Sequence, residues 1–327
     1  MASDLLVRAV EAVRAAARVT QAVQREIDVA SLEKGDKSPV TAADYASQAV
    51  VCRTLMQGPS DLPLVGEEDA TDLRGPEREF LGRIVDVLAA NGTTASGEDV
   101  CDWIDRGGHD GTADRYWTLD PIDGTKGFLR KEQYAISLAL IEGGEITLGV
   151  LGCPNLSVTA NGGQTGTLMY ATRGGGAFTM PLDGEGQPTP ITTATTTDPA
   201  AIRICESVES GHSSHSHSAR IAARLATTAD SVRLDSQAKY AVVARGQADA
   251  YLRLPTRPGY QEKIWDHAGG VIVVEEAGGR VSDVEGKPLD FSRGPTLAGN
   301  RGVVATGAGV HEAVLEAVAA VLAEDQA

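Results

Sequence analysis

Two aspartates three residues apart form the chemically most informative segment of this chain. Asp120 and Asp123 flank a Pro-Ile pair, precede Gly-Thr, and follow apolar residues typical of the end of a buried strand. The proline prevents a helix from running through Asp120, and the glycine permits a tight turn from which a helix can begin. Carboxylate oxygens hold Mg²⁺, and free N–H groups at a helix start accept a phosphate. The segment therefore predicts a site for a hard cation and a phosphate group.

Further acidic residues stand at the ends of predicted helices and strands: Asp44, the pair Glu67 and Glu68, and Asp266. If they converge with the two aspartates, their repulsion would be severe without cations, because close like charges cannot all stay ionised. Convergence therefore implies bound metal. A ligand set made of oxygen atoms favours Mg²⁺ over zinc.

Each of these acids also has a structural interpretation. Asp44 follows Thr41 by three residues, which is the spacing of a helix capping box. Glu67 and Glu68 could be plain loop acids, and Asp266 could cap the helix that follows it. The Asp-Pro-Ile-Asp-Gly-Thr segment is much harder to explain structurally, so the metal prediction depends mainly on it.

The composition restricts the class of protein. The chain has 327 residues, 42% of them hydrophobic, which is typical of a soluble globular protein of about two domains. The formal net charge of −16 argues against a partner that is a nucleic acid polymer. No apolar run approaches the ~20 residues that span a bilayer, and the N-terminus lacks a secretory signal. We expect no membrane partner and a cytoplasmic protein, or a plastid or mitochondrial one if a transit peptide has been removed.

Hydrophobic periodicity predicts an α+β domain over residues 1–180. Its helices and strands are predicted at 4–27, 41–57, 62–65, 76–90, 134–141, 146–153, 168–171 and 176–180. Residues 91–115 are rich in Gly, Thr, Asp and Ser and lack periodicity, so we predict a mobile loop beside the site, able to close over it.

The C-terminal part, residues 201–327, alternates strands and helices, which favours an α/β domain. These elements are predicted at 202–206, 213–227, 231–234, 236–246, 249–254, 266–277, 280–282 and 310–323. Residues 181–200 are poor in apolar side chains and are predicted to form an exposed linker near the domain boundary.

The four cysteines are widely spaced and form no C-x-x-C pair: Cys52, Cys101, Cys153 and Cys205. This spacing favours reduced, partly buried thiols over a disulfide framework or a zinc site, with redox control through one pair as the alternative. Three closely spaced histidines, His212, His215 and His217, fit no standard zinc spacing. The roles of His215 and His217 therefore stay open.

Three motifs resemble the signatures of the lithium-sensitive, magnesium-dependent phosphatases. They are Gly66-Glu67-Glu68, Asp120-Pro121-Ile122-Asp123-Gly124-Thr125, and Trp265-Asp266-His267 followed by Glu276-Ala277-Gly278-Gly279. That superfamily includes inositol monophosphatase, fructose-1,6-bisphosphatase and the 3′(2′),5′-bisphosphate nucleotidases. Further segments resemble the nucleotidase branch, and its plant and algal members in particular: 36–41, 126–130, 206–215, 235–240, 251–255 and 260–264.

The resemblance implies a five-layer αβαβα sandwich and two or three Mg²⁺ ions. It implies that the metal ligands are Glu67, Asp120, Asp123, Asp266 and the backbone carbonyl of Ile122. Glu68 would lie behind these ligands. Asp44 and Thr125 would orient and deprotonate the attacking water, with Thr125 relaying a hydrogen bond to the Asp44 carboxylate.

The resemblance also implies a nucleotide pocket, made of Gly124, Thr125, His212, Ser236, Lys239 and Arg253. Lys239 and Arg253 would bind the phosphate that is not cleaved, while Ser236 could also cap the helix that follows. Taken alone, Lys239 would be interpreted as a solvated surface lysine. Arg253 lies in an apolar strand and needs a partner, which a phosphate or a structural acid would supply.

The activity that the resemblance implies is hydrolysis of the 3′-phosphate of 3′-phosphoadenosine 5′-phosphate (PAP) to AMP and phosphate, a reaction of sulfur metabolism. The sulfated analogue 3′-phosphoadenosine 5′-phosphosulfate is a further expected substrate. We expect attack by water without a phosphoenzyme, inhibition by lithium, and a monomer. One alternative is an inositol polyphosphate 1-phosphatase or inositol monophosphatase. Another is a non-catalytic nucleotide sensor, which the filled catalytic positions argue against.

Overall fold

The computed structural model describes residues 2–27, 38–58, 61–75, 78–159, 162–184, 186–208, 215–255, 257 and 259–325. The helices in these ranges are α1 (Ala2–Glu26), α2 (Ser38–Met56), α3 (Arg78–Ala90), α4 (Gly97–Asp105), α5 (Thr125–Leu129), α6 (His215–Arg224), α7 (Ala238–Ala244), α8 (Ala268–Glu276) and α9 (His311–Glu324). None of these described helices combines the length and the apolar composition needed to cross a bilayer.

The strands of the described residues form two sheets. The first contains β1 (Leu64–Gly66), β2 (Arg115–Asp123), β3 (Ala135–Glu142), β4 (Glu145–Thr159), β5 (Gly162–Thr172), β6 (Gly176–Pro181) and β7 (Thr189–Pro190), in chain order. Only its first pair, β1 with β2, is parallel. The second contains β8 (Ile204–Glu206), β9 (Val232–Arg233), β10 (Ala250–Arg253), β11 (Gly279–Ser282) and β12 (Val303–Gly307), in the order β11-β12-β10-β8-β9.

The burial of apolar side chains organises these elements into five layers. Helices α1 and α2 pack on one face of the first sheet, and α7 and α8 lie between the two sheets. Helices α6 and α9 cover the outer face of the second sheet. Each sheet therefore buries both faces against helices, which keeps its apolar side chains from water. The expected αβαβα sandwich is confirmed.

Residues 91–115 differ from the sequence prediction, because they include a helix. Ser96 accepts a hydrogen bond from the Asp99 N–H, and Asp99 accepts one from the Ser96 N–H, so the two form a capping box at the start of α4. Val100 and Ile104 are buried on the side that packs against α2. Loss of such a cap costs about 1 kcal/mol. The prediction of a mobile loop was therefore wrong over α4.

Two further differences concern the C-terminal half. Strand β12 was not predicted, although it is fully buried and pairs with both β10 and β11. Most described residues of the 181–200 segment are exposed, as predicted, but the segment is attached to the fold, because β7 extends the first sheet and the Thr193 N–H donates to the Ala277 carbonyl. The division into domains at this segment stays a prediction.

Candidate active site

The parallel pairing of β1 and β2 brings the first two acids together. Gly66 and Leu119 are partners in this pair, so Glu67 and Asp120 follow them at the same edge of the sheet. Side chains at adjacent carboxyl ends of parallel strands lie close to one another. The two carboxyl groups are close enough for each to affect the pKa of the other.

A bulge in β2 accounts for the spacing of Asp120 and Asp123. Asp120 is opposite Ser137 and Asp123 is opposite Ala135, so β2 has one residue more than β3 over this interval. Pro121 has no N–H to donate to the ladder, which favours such an irregularity. In a regular strand, residues three apart point to opposite faces. The bulge removes that restriction, and both aspartates line one cavity.

This cavity has a volume of about 380 Å³. It gathers ten of the residues predicted for the site: Glu67, Asp120, Ile122, Asp123, Gly124, Thr125, Ser236, Lys239, Arg253 and Asp266. Other lining residues were not assigned to the site by the sequence analysis: Lys126, Gly127, Leu129, Ser207, Asp235, Tyr251, Tyr260 and His267. Acids that follow β1, end β2 and precede α8 thus line the same space as cations from α7 and β10.

The acids raise one another's pKa values. Asp120 is 2% exposed, and its pKa lies well above the usual value because of burial and then the charges of Glu67, Asp123 and Asp266. The surrounding protein and the neighbouring Glu68 charge raise the pKa of Glu67 to about 7. Repulsion of this kind opposes simultaneous ionisation in the absence of a counter-charge.

One oxygen of this cluster has no hydrogen-bond partner. Asp120 Oδ1 is buried and unpaired among the described residues, although buried polar atoms are almost always paired. A divalent cation bound by carboxylate oxygens would satisfy this atom and relieve the repulsion. The donor set and the unpaired oxygen therefore fit a hard metal ion.

Asp44 is not among the described residues that line the cavity. Helix α2 begins at Ser38, so Asp44 is well inside the helix and the capping-box interpretation was wrong. Asp44 is 8% exposed, and burial followed by the charges of Glu68 and Glu67 raises its pKa. The α2 helix packs against α5, the helix that begins with Thr125.

Gln48 fixes the loop that carries Glu67 and Glu68. Its amide nitrogen donates to the carbonyls of Glu68 at 2.6 Å and Ile104 at 2.9 Å, and its amide oxygen accepts from the Glu68 N–H. A Cβ on Gly66 would lie only 2.6 Å from the Gln48 Oε1 atom. This close approach positions Glu67 at the cavity, while Glu68 is not among the described lining residues.

Asp266 enters the site from the residue before the start of α8. The N-cap of α8 is His267, and no side chain caps the helix, so the capping interpretation of Asp266 was wrong. The pKa of Asp266 is raised to about 7, mainly by burial, against the lowering effect of His267 and with a further increase from Asp123.

Ser236 and Gly124 meet where the phosphate was predicted to bind. Ser236 has a φ of 65°, and its hydroxyl accepts a hydrogen bond from the Ala238 N–H at the start of α7, although the N-cap position itself is Gln237. Gly124 has a φ of 92°, and a Cβ there would lie 2.9 Å from the Ser236 Cβ. Glycine is thus required for both conformation and space.

Lys239 is only 4% exposed, so its interpretation as a surface lysine was wrong. Its ammonium group lies 5.2 Å from the centre of the Tyr251 ring and 3.4 Å from the Leu234 carbonyl oxygen. Burial lowers the pKa of Lys239, while the charge of Asp123 opposes this shift. A buried ammonium group next to a cavity is poorly hydrated, which favours binding of an anion.

Arg253 has the structural acid that was one of its two expected partners. Its Nε donates to Glu262 Oε1 at 3.2 Å, and the second Glu262 oxygen lies 3.3 Å from His267 Nε2. The other ring nitrogen of His267 lies 2.7 Å from the Tyr240 hydroxyl. Burial opposes ionisation of Glu262, but His267 and then Arg253 lower its pKa to about 2. This network holds the Arg253 guanidinium group at the cavity.

The remaining predicted residues are the three histidines His212, His215 and His217. His212 lies outside the described residues, as does the side chain of His215. His217 lines a different cavity and pairs with Asp325 at 2.5 Å.

All four cysteines are free and buried, as the interpretation as reduced thiols predicts, and burial raises the pKa to about 12 at Cys52, Cys153 and Cys205.

The three motif segments and their convergence agree with a comparison against known families. A family model described as the inositol monophosphatase family matches residues 1–324. The chain belongs to the inositol monophosphatase family. The resemblance found in the sequence is thereby confirmed. Members of this family are generally dependent on a metal, with Mg²⁺ the usual ion.

Curated relatives within the family cover nearly the whole chain. A protein of Schizosaccharomyces pombe named 3′(2′),5′-bisphosphate nucleotidase is 43% identical, over 97% of this chain and 95% of its own length. One of Oryza sativa with the same name is 44% identical, over 96% and 93% of the two chains. One of Arabidopsis thaliana, named 3′(2′),5′-bisphosphate nucleotidase 1, is 45% identical over 80% of each.

Solved structures support the fold. An inositol monophosphatase of Thermotoga maritima superposes with a TM-score of 0.64 at 21% identity, covering 98% of this chain and 99% of the other. CysQ of Bacteroides thetaiotaomicron, described as a bacterial member of the inositol monophosphatase family, gives 0.61 at 20% identity, covering 93% and 97%. At these identities the likeness shows the shared fold alone.

Proposed function

We propose that the protein is a metal-dependent 3′(2′),5′-bisphosphate nucleotidase that hydrolyses PAP to AMP and phosphate. The observation that supports this most strongly is that one cavity is lined both by acids (the acidic wall: Glu67, Asp120, Asp123 and Asp266) and by cations (the cationic wall: Lys239 and Arg253). The acidic wall suits metal ions and the phosphate to be cleaved, and Lys239 and Arg253 suit a second phosphate. Relatives named as nucleotidases at 41–45% identity favour the same substrate class over inositol phosphates or a silent sensor.

In this proposal the carboxylates of the acidic wall hold two or three Mg²⁺ ions. The ligands are Glu67, Asp120, Asp123, Asp266 and the carbonyl of Ile122. Metal bound there supplies electrostatic stabilisation of the phosphate oxygens and makes water easier to deprotonate. The protein contributes mainly position and charge, which are the main requirements of phosphoryl transfer.

Thr125 and Asp44 would handle the proton of the attacking water. A threonine hydroxyl is itself too weak a base to take a proton from water, but it can accept one hydrogen bond and donate another. The buried Asp44 carboxylate, with its raised pKa, is suited to accept the proton. The N–H groups of Gly124 and Thr125 would hold the phosphate that is released.

Lys239 and Arg253 would bind the 5′-phosphate. Arg253 is held by Glu262, so little conformational freedom is lost when it binds an anion. Lys239 is held inside the protein by the packing of α7, all of whose residues are buried. Their placement opposite the acids would set the distance between the two phosphates and favour a bisphosphate.

Removal of metal is expected to change the pH dependence of stability. The pKa values of Glu67 and Asp266 are about 7 in the folded protein, against about 4 in an unfolded chain. Unfolding therefore releases protons between these values, and the metal-free protein should become less stable as the pH rises from about 4 to about 7. Metal requires the ionised forms, so Mg²⁺ should raise Tm more at pH 8 than at pH 5.5.

Thermal unfolding with a chelator and with Mg²⁺ at both pH values tests this expectation. Potassium chloride at matched ionic strength is the control for screening. An Mg²⁺-induced rise in Tm of equal size at pH 5.5 and pH 8 would mean that these carboxyl groups do not bind the ion.

A further inference from the structure

Tyr260 exposes an aromatic ring at the edge of the active-site cavity. Its side chain is 47% exposed, which is unusual for a large apolar group in this protein. The residue lines the cavity of about 380 Å³ and also an adjoining cavity of about 520 Å³. The ring therefore lies at the junction of the two spaces.

This ring lies beside the cationic wall. Burial and then the Glu262 charge raise the pKa of the Tyr260 hydroxyl, and the nearby Arg253 charge opposes this shift. Arg253 in turn is held by Glu262, which is two residues from Tyr260 and also lines the second cavity. The ring is therefore an exposed aromatic surface next to the residue proposed to bind the uncleaved phosphate.

The other tyrosine of the described lining cannot provide such a surface. Tyr251 is 5% exposed, and the Lys239 ammonium group lies 5.2 Å from its ring centre. The Tyr240 ring packs against it edge-on, with ring centres 4.9 Å apart. The Tyr251 ring is therefore already covered by protein groups, whereas the Tyr260 ring is open to a ligand.

We propose that the nucleobase of the substrate stacks on the Tyr260 ring and extends towards the second cavity. This inference rests on the proposed nucleotidase function and adds the part of the substrate that the phosphate sites leave unassigned. The charged groups of the first cavity suit phosphates. Stacking on an aromatic side chain stabilises any base, because each base has a flat π face.

Three polar side chains that line the second cavity have partners within the protein. The Gln261 amide oxygen accepts a hydrogen bond from Thr296, and Asn300 donates to the Pro288 carbonyl. Arg301 pairs with Glu285 at 3.4 Å. The Tyr260 ring is exposed beside them and offers the base a face on which to stack.

Binding of AMP and of ribose 5-phosphate tests the proposal without turnover. These two probes share the 5′-phosphate and ribose and differ by the base. In calorimetric titrations with Mg²⁺, Tyr260→Leu should weaken AMP about tenfold and leave ribose 5-phosphate unchanged. Tyr260→Phe, which retains the ring, should bind AMP like the wild type. The KM for PAP should rise about tenfold in the leucine variant only.

Two results would overturn the stacking role. One is equal weakening of both probes by Tyr260→Leu, since Tyr260 would then act through Arg253. The other is unchanged AMP affinity in the leucine variant. A wild type that binds AMP through Tyr260 but does not hydrolyse PAP would contradict the proposed function while supporting stacking. Hydrolysis of PAP by the wild type, together with unchanged AMP binding in the Tyr260→Leu variant, would support the proposed function and contradict stacking.

Discussion

Replacing Asp120 by asparagine is expected to lower kcat/KM for PAP by about a thousandfold or more. Asp120 is buried, has an unpaired oxygen, and is surrounded by the charges of three other acids that line the cavity. Asparagine keeps the shape but removes the negative charge through which this residue would hold metal. Steady-state kinetics with saturating Mg²⁺ measure the loss.

The same variant has a second expected property that misfolding would not produce. Removing one of several repelling carboxylates should raise the Tm of the metal-free protein, and the added stability from Mg²⁺ should shrink. Asp114→Asn is the matched control, because Asp114 is an exposed aspartate six residues earlier. Near-normal turnover by a folded Asp120→Asn protein would show that Asp120 is not a metal ligand.

Replacing Lys239 by methionine is expected to raise the KM for PAP about a hundredfold, since loss of one partner of a buried charged pair costs about 2–5 kcal/mol. The change for adenosine 3′-phosphate, which lacks the second phosphate, should be less than about threefold. Methionine preserves most of the buried volume, so a packing defect should be small. The ratio of the two substrates is the informative quantity, because Lys239 also affects the pKa of Asp123.

Lys287→Met is the control for this substitution. Lys287 is an exposed lysine that pairs with Glu285 outside the active-site cavity, and its loss should leave both substrates unaffected. Equal losses on PAP and adenosine 3′-phosphate in the Lys239 variant would mean that this residue does not bind the second phosphate.

The sequence predicted which residues line this cavity better than it predicted the elements around them. The acids of the three motifs were recognisable because carboxylates, a proline and a glycine at that spacing have few structural explanations. Their convergence follows from the parallel pairing of β1 with β2 and from the bulge between Asp120 and Asp123. Neither is visible in local periodicity, since both depend on which strands become neighbours.

The missed elements have physical reasons. Helix α4 is only 9 residues long, and its capping box uses Asp99 where glutamate or glutamine is usual. Strand β12 is a 5-residue apolar run whose position in the sheet is determined by the strands on either side. A run this short is ambiguous without knowledge of its partners.

At the cationic wall, the sequence did not predict the burial of Lys239 or the partner of Arg253, because both depend on contacts formed only in the folded chain. Nothing in the local pattern distinguishes a buried Lys239 from a lysine on the surface of α7. Arg253 and Glu262 are nine residues apart, and their contact requires the chain to turn back after β10. Tyr260 was noted as part of a motif, but its exposed ring at the junction of two cavities is a property of the folded chain.

The most direct test is to incubate the purified protein with PAP and Mg²⁺ and to identify the products by chromatography. The expected result is AMP and phosphate, with loss of the reaction on chelation, inhibition by lithium, and a higher kcat/KM than for inositol 1,4-bisphosphate. Release of adenosine 3′-phosphate, preference for the inositol compound, or absence of phosphate release would contradict a 3′-nucleotidase built on converging acids.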